Sequence, residues 1–170
     1  MDIIETKRLL LRPLSPADLD DLFELYQDMD LMRYITGQTR SYEKTKARLN
    51  VYLADHQRYG FGLCVAILKS SGEMIGRCGL EPVESKIGLE GDIAWMFKKK
   101  YWGQGLATEF GRAMIEYGFT HSPVRRIFAR ADAANTASIR VMQKLGMRFV
   151  KADQIEVEYE VWHPDFNPYG

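Results

Sequence analysis

No stretch of this 170-residue sequence is apolar for long enough to cross a bilayer, which takes about 20 residues in a helix. The amino end, Met1 to Thr6, carries an early acid and no apolar core, so it does not read as a secretory signal. Charge of one sign is not in excess either: Lys plus Arg and Asp plus Glu both number 23. A chain that held nucleic acid or a membrane surface through a general positive field would need such an excess, so neither is expected as a partner and any anion site must be local. Cysteine is scarce. Cys64 and Cys78 lie in apolar runs, which suits reduced core thiols better than a disulfide and predicts a cytoplasmic protein. His56, His121 and His163 are scattered without metal-ligand spacing, so no metal site is expected.

What is present is the composition of a globular protein. Apolar residues at 46% and charged residues at 27% lie far from the low-hydrophobicity pattern of disorder. At this length the chain should form one domain over residues 1–170, without repeats or linkers.

The elements follow from period and punctuation. Arg8 to Leu14 reads as a strand, and Ser15-Pro16-Ala17-Asp18 opens a helix with an N-cap serine, a proline at the first helical position and an early acid. Leu19, Leu22, Phe23 and Tyr26 recur at spacings of three and four, carrying this helix to about Met29. A second helix opens near Ser41, buries Leu49, Tyr52 and Leu53, and stops before Gly60. Between them, Asp28 to Arg40 is a connection whose Tyr34 and Ile35 can line a cleft. Phe61 to Leu68 and Met74 to Leu80 are apolar runs joined by a turn-rich link, an antiparallel hairpin. A strand from Asp92 to Phe97 leads into Lys98-Lys99-Lys100-Tyr101, a glycine turn, and a helix whose face is Leu106, Phe110, Ala113 and Tyr117. Arg126 to Ala131 is a strand, Asn135 to Leu145 a helix closed by Gly146, and Met147 to Lys151 a strand. In the last strand Ile155, Val157, Tyr159 and Val161 face one way and Glu156, Glu158 and Glu160 form a solvated face. The order is β, α, α, β, β, β, α, β, α, β, β, an α+β fold with one mixed, mostly antiparallel sheet flanked by helices.

Trp102-Gly103-Gln104-Gly105-Leu106-Ala107-Thr108 is the most informative segment. Two glycines after a strand, at the start of a helix, let the backbone approach a ligand, and the unpaired amides of the first helical turn favour a phosphate. A tight strand-to-helix connection would use the same residues. No lysine follows Gly105, so the Walker loop is excluded. A dinucleotide fingerprint needs a small residue where Thr108 stands and belongs on the first strand of a parallel unit, whereas several strands come first here.

This segment resembles the GNAT superfamily pattern Arg/Gln-x-x-Gly-x-Gly/Ala, with Trp102 where Arg or Gln is usual. Thr6-Lys7-Arg8-Leu9-Leu10-Leu11-Arg12-Pro13, Asn135-Thr136-Ala137-Ser138 and Lys144-Leu145-Gly146-Met147 look, in the same order, like the branch that contains the ribosomal-protein N-terminal acetyltransferases. The resemblance covers nearly the whole chain. It implies acetyl-CoA as co-substrate. The pantetheine arm would lie along the backbone of Trp95, Met96 and Phe97, the pyrophosphate on the amides from Gly103 to Thr108, and Asn135 near the pantetheine. Asn135 also suits a helix N-cap.

Acetyl transfer to an amine needs a neutral nucleophile, a polarised carbonyl and a proton for the thiolate. The resemblance places the Ser138 hydroxyl near the sulfur, where many relatives carry tyrosine; a solvated serine in the first helical turn is the alternative. Asp92, beginning its strand, and Glu81, ending the preceding run, are both candidate bases, and the sequence does not choose between them. Lys98 to Lys100 fit a solvated loop or an attractor for the anionic cofactor, Glu109 favours its helix dipole, and Trp95 and Trp102 read as packing residues. Glu156, Glu158 and Glu160 could instead attract a cationic amine. The implied activity is acetyl transfer to a small-molecule or peptide amine: a protein N-terminus, an amino acid, a polyamine or an antibiotic. A non-catalytic acyl-CoA sensor is the alternative function, and both monomer and homodimer are open.

Overall fold

The computed structural model describes residues 1–166. Its strands are β1 (Ile4–Glu5), β2 (Leu9–Pro13), β3 (Leu63–Leu68), β4 (Glu73–Ser85), β5 (Gly88–Phe97), β6 (Arg126–Asp132), β7 (Arg148–Ala152) and β8 (Glu156–Trp162). They form one sheet in the order β1-β2-β3-β4-β5-β6-β8-β7. Every neighbouring pair is antiparallel except β5 and β6. The expected α+β class, a mixed and mostly antiparallel sheet flanked by helices, is the one observed.

Helices cover both faces. On one side α1 (Leu19–Gln27), α2 (Met29–Met32) and α3 (Tyr42–Tyr59) bury Leu22, Leu25, Tyr26, Met32, Leu49 and Tyr52 against Leu63, Val65 and Met96. On the other, α4 (Leu106–His121) and α5 (Thr136–Lys144) bury Phe110, Met114 and Met142 against Cys64, Cys78, Ile93 and Ile127. β3 therefore sends Leu63 and Val65 into one core and Cys64 and Ala66 into the other, which is why its sequence is apolar throughout. Cys64 and Cys78 are buried free thiols on paired strands, with 3.8 Å between their sulfurs.

Several expectations need correction. β4 and β5 form a longer hairpin than the apolar runs predict, so Glu81 does not end its strand and Asp92 does not begin its own. Both are mid-strand, and they are direct cross-strand partners. The apolar signal stops where the two cores stop, while the backbone ladder continues to Ser85 and Gly88. The connection from Asp28 to Arg40 contains α2, a single turn too short to show a period, whose first amides are capped by Asp28 Oδ1 at 2.8 Å from Asp30 N. β1 adds a two-residue strand beside Leu10 and Leu11.

The glutamates of β8 do not form a solvated face. Glu160 is 3% exposed. Arg126, on the neighbouring β6, holds Glu160, Glu158 and Glu90 at 2.7, 2.6 and 2.6 Å, and Arg148 also pairs with Glu160. A polar-facing period cannot reveal that the partner strand supplies a cation. Ile155, at the other end, precedes the strand and is 74% exposed.

Candidate active site

The parallel pair β5 and β6 touches only at Gly91–Ile127 and Asp92–Phe128. Beyond Asp92 the strands part: β5 stays paired with β4 as far as Phe97, and β6 stays paired with β8 as far as Asp132. The edge of β5 from Ile93 to Phe97 thus faces a cleft of about 950 Å3 instead of a strand. A gap beyond the carboxyl ends of parallel strands is where open α/β sheets place ligands. Trp95, Met96 and Phe97 line it, although Met96 and Phe97 are buried at 4% and 5% exposure with side chains in opposite cores. What these residues offer the cleft is backbone.

Gly103, Gly105, Leu106, Ala107 and Thr108 line the cleft beside that edge. Gly103 and Gly105 have φ of 72° and 77°, the left-handed region in which a side chain is strained. Gly105 is the N-cap of α4, so the amides of the following turn have no intrahelical acceptor and their positive end faces the cleft. Gln104 itself does not line it; its side-chain amide donates to the Lys100 carbonyl at 3.0 Å and closes the turn. Trp102, 47% exposed, donates from Nε1 to the Phe97 carbonyl at 2.6 Å, fixing the turn to the end of β5.

The turn is also held from a distance, by residues the sequence did not mark as a unit. Arg8 Nη1 donates to the Gln104 carbonyl at 2.8 Å, and Arg8 Nε pairs with Glu109 at 2.7 Å. Glu109 further accepts from the Arg8 amide and the Thr6 hydroxyl. Burial pushes the Glu109 carboxyl up, but these hydrogen bonds outweigh it and hold it below the usual carboxylate range. Glu109 therefore ties the link between β1 and β2 to α4 rather than serving the helix dipole alone. The Lys98–Lys100 run is engaged as well: Lys98 and Lys100 pair with Glu73, and Lys99 with Asp30. The run is a braced loop whose Lys99 and Lys100 remain largely exposed, with Lys99 at the rim of the cleft.

Across the cleft, Asn135 Oδ1 accepts from the Ser138 amide at 3.2 Å and caps α5. Both residues line the cleft and are half-buried. Arg130 and Ala131, at the end of β6, line the same cleft.

Asp92 sits at the vertex where the strands part, and Arg130, two residues beyond its pairing partner Phe128, bridges to it at 2.6 Å. Burial pushes the Asp92 carboxyl up to about 6, against the opposing pull of Arg130 and with help from the charges of Glu81 and Glu156. It lines the cleft. Glu81, its neighbour in β4, is held by Arg48 at 2.6 Å and is not among the cleft residues. The structure thus separates two carboxylates that the sequence left equal. Arg130 carried no signal of its own, because its role depends on which strand lies beside β6.

The remaining wall comes from α2 and the residues after it. Tyr34 and Ile35 line the cleft, as expected of the connection, together with Leu31 and with Arg77 from β4. Among the described residues no group of three or more His, Cys, Asp or Glu side chains could hold a metal, and no helix is long and apolar enough to cross a membrane.

Residues 8–148 match the acetyltransferase (GNAT) domain. YkkB of Bacillus subtilis (strain 168) is 35% identical over 147 residues, 86% of this chain and 85% of that protein. The crystal structure of a GNAT-family acetyltransferase from Bacillus anthracis superposes with a TM-score of 0.80 at 26% identity, covering 96% of this chain and 100% of that one. A ribosomal L7/L12 α-N-protein acetyltransferase in complex with coenzyme A superposes at 0.82 over 95% and 98% of the two chains. At 18% identity that last likeness is one of fold.

Proposed function

The chain belongs to the acetyltransferase (GNAT) family, and on that premise we propose that it moves an acetyl group from acetyl-CoA directly to a primary amine, with both held in the cleft between β5 and β6. The observation that carries this reading is the parting of the two strands at Asp92, which opens one edge of β5 beside a glycine turn. An extended, amide-bearing arm suits the edge from Ile93 to Phe97, and a pyrophosphate suits the turn from Gly103 to Thr108. Acetyl-CoA, when bound, supplies an activated carbonyl and a thiolate leaving group.

The protein's own part is positioning and proton handling. The backbone of Trp95, Met96 and Phe97 and the amides from Gly103 to Thr108, with Trp102 and Gln104 closing the turn, hold the co-substrate. Asn135 orders the first turn of α5, and Ser138 Oγ stands as hydrogen-bond donor on the sulfur side. Asp92 takes the proton of the acceptor ammonium at its carboxylate; a group near 6 is ionised at neutral pH and still basic enough to serve. Arg130 orients it. Glu81, held by Arg48 outside the cleft, is left out of this scheme. Direct transfer fits the thiols too, since Cys64 and Cys78 are wholly buried and neither lines the cleft.

The test is thiol release. Purified protein incubated with acetyl-CoA and a panel of amino acids, peptides, polyamines and aminoglycosides should liberate CoA with at least one acceptor. Calorimetric CoA binding without turnover across the panel would favour the sensor, and absence of CoA binding would remove both readings.

A further inference from the structure

Arg77 lies in β4 opposite Met96, on the face that carries α1 to α3. It lines the cleft at 6% exposure, and neither its Nε nor its Nη1 has a hydrogen-bond partner. Arg126, also deep in the fold, holds three carboxylates; Arg77 holds none among the described residues. Its neighbours are Tyr26, whose ring is 5.9 Å away and whose hydroxyl accepts a hydrogen bond from the guanidinium, and Tyr52, whose hydroxyl is 3.4 Å from that of Tyr26. Burial pushes Tyr26 up to about 12, so this neighbour stays neutral. Burial pushes Tyr52 up too, but the charges of Arg77 and Arg48 draw it below the ordinary phenol range. Buried guanidinium donors are ordinarily satisfied, and an unsatisfied one on a cleft wall calls for a ligand oxyanion.

Both carboxylates in this half of the cleft are already paired. Asp30 is held by Lys99 and Asp92 by Arg130. Arg33 lies over the Tyr34 ring. Glu156, from β8, also lines the cleft, on the Arg130 side. A polycationic acceptor would thus meet an unmatched arginine and few free carboxylates, whereas an anionic group finds a partner waiting. Arg77 and Asp92 share one sheet face, with Ala94 between their rows on β5.

We propose that the acceptor is an amino carboxylate, its carboxylate on the Arg77 guanidinium and its amine at Asp92. The proposal rests on the acetyltransferase reading and names the substrate class of the same cleft. It predicts discrimination by charge at a distance from the reacting nitrogen, which a purely structural Arg77 would not give.

The experiment compares matched acceptors. Thiol release is followed with the α-amino acids and the straight-chain series from glycine to 6-aminohexanoate, with their carboxamides, and with the corresponding amines lacking the carboxyl group. The wild-type protein should favour a carboxylate-bearing member by about 30-fold or more in kcat/KM, as expected for a buried charged contact. Arg77→Met should bring the three members of that set within roughly threefold by raising the acceptor KM, with the acetyl-CoA KM unchanged, and Arg77→Lys should restore part of the preference. Equal use of carboxylate and carboxamide by the wild type overturns the proposal without any variant, as does a preference that survives in Arg77→Met. If no acceptor is turned over, the acetyltransferase reading fails, and calorimetric titration of the amino carboxylates into the CoA complex decides the site. Binding that Arg77→Met loses sustains it, and no binding by the wild type overturns it.

Discussion

Arg8 Nη1 and the Gln104 carbonyl are joined at 2.8 Å across 96 positions of sequence. The same guanidinium pairs with Glu109, three residues into α4, so the glycine turn is clamped at both its tip and its helix. Arg8→Ala should loosen the cradle without touching the acceptor side. The expected result is a rise of roughly threefold to tenfold in the acetyl-CoA KM, the scale of one lost hydrogen bond, with kcat nearly unchanged. Steady-state kinetics at saturating acceptor reads both.

At Gly105 the cost is conformational. A Cβ there would have room, the nearest atom being Arg8 Nη2 at 3.7 Å, but φ is 77°. Gly105→Val should destabilise the fold by roughly 1–2 kcal/mol in chemical denaturation, as a β-branched residue does in the left-handed region. It should also abolish calorimetric CoA binding, because relief of the strain turns the helix amides away. Unchanged CoA affinity would detach the turn from the cofactor.

Asp92 predicts a pH profile. A base must be ionised to act, and burial lifts this carboxyl to about 6. Activity should therefore rise as pH increases through about 6 and level off above it. Asp92→Asn should lower kcat/KM about a hundredfold or more and remove that limb, while CoA binding persists. A limb that survives in the variant would belong to another group.

Glu160 predicts stability rather than activity. It is buried between Arg126 and Arg148, and removing it takes a charge-assisted hydrogen bond from each, although Arg126 keeps Glu90 and Glu158. Glu160→Ala should cost about 1–3 kcal/mol in urea denaturation at neutral pH, the scale of lost charge-assisted hydrogen bonds. Burial pushes the Glu160 carboxyl up, but Trp162, Arg126 and Arg148 together hold it below the usual range. A depressed carboxyl stabilises fully above its unfolded value of about 4.3, and that contribution fades as pH falls through the lower folded value. The gap between wild type and variant should narrow accordingly in acid. A surface glutamate would show a difference near zero at every pH.

Features set by neighbours in sequence were legible in the sequence. The serine-proline turn from Ser15 to Asp18 that leads into α1, the apolar runs of β3 and β4, Gly146 behind α5 and the glycine turn before α4 all depend on the dihedral and burial preferences of a few adjacent residues. So did the order of elements and, with it, the family. The distal halves of β4 and β5 were not legible, because strand pairing continued past the point where burial marked it.

What the sequence by itself determined is the fold class and the glycine turn before α4: local backbone chemistry is written in local residues. Which strands part, which carboxylate stands at the vertex and which buried arginine has no carboxylate paired with it were decided only by the tertiary structure. Asp92 and Glu81 are the same kind of residue on one sheet face, and the difference between them is that Arg130 and a cleft adjoin one while Arg48 adjoins the other. Charge pairing and burial are properties of what lies beside a residue in space, and the chain brings those neighbours from 33 and 38 positions away.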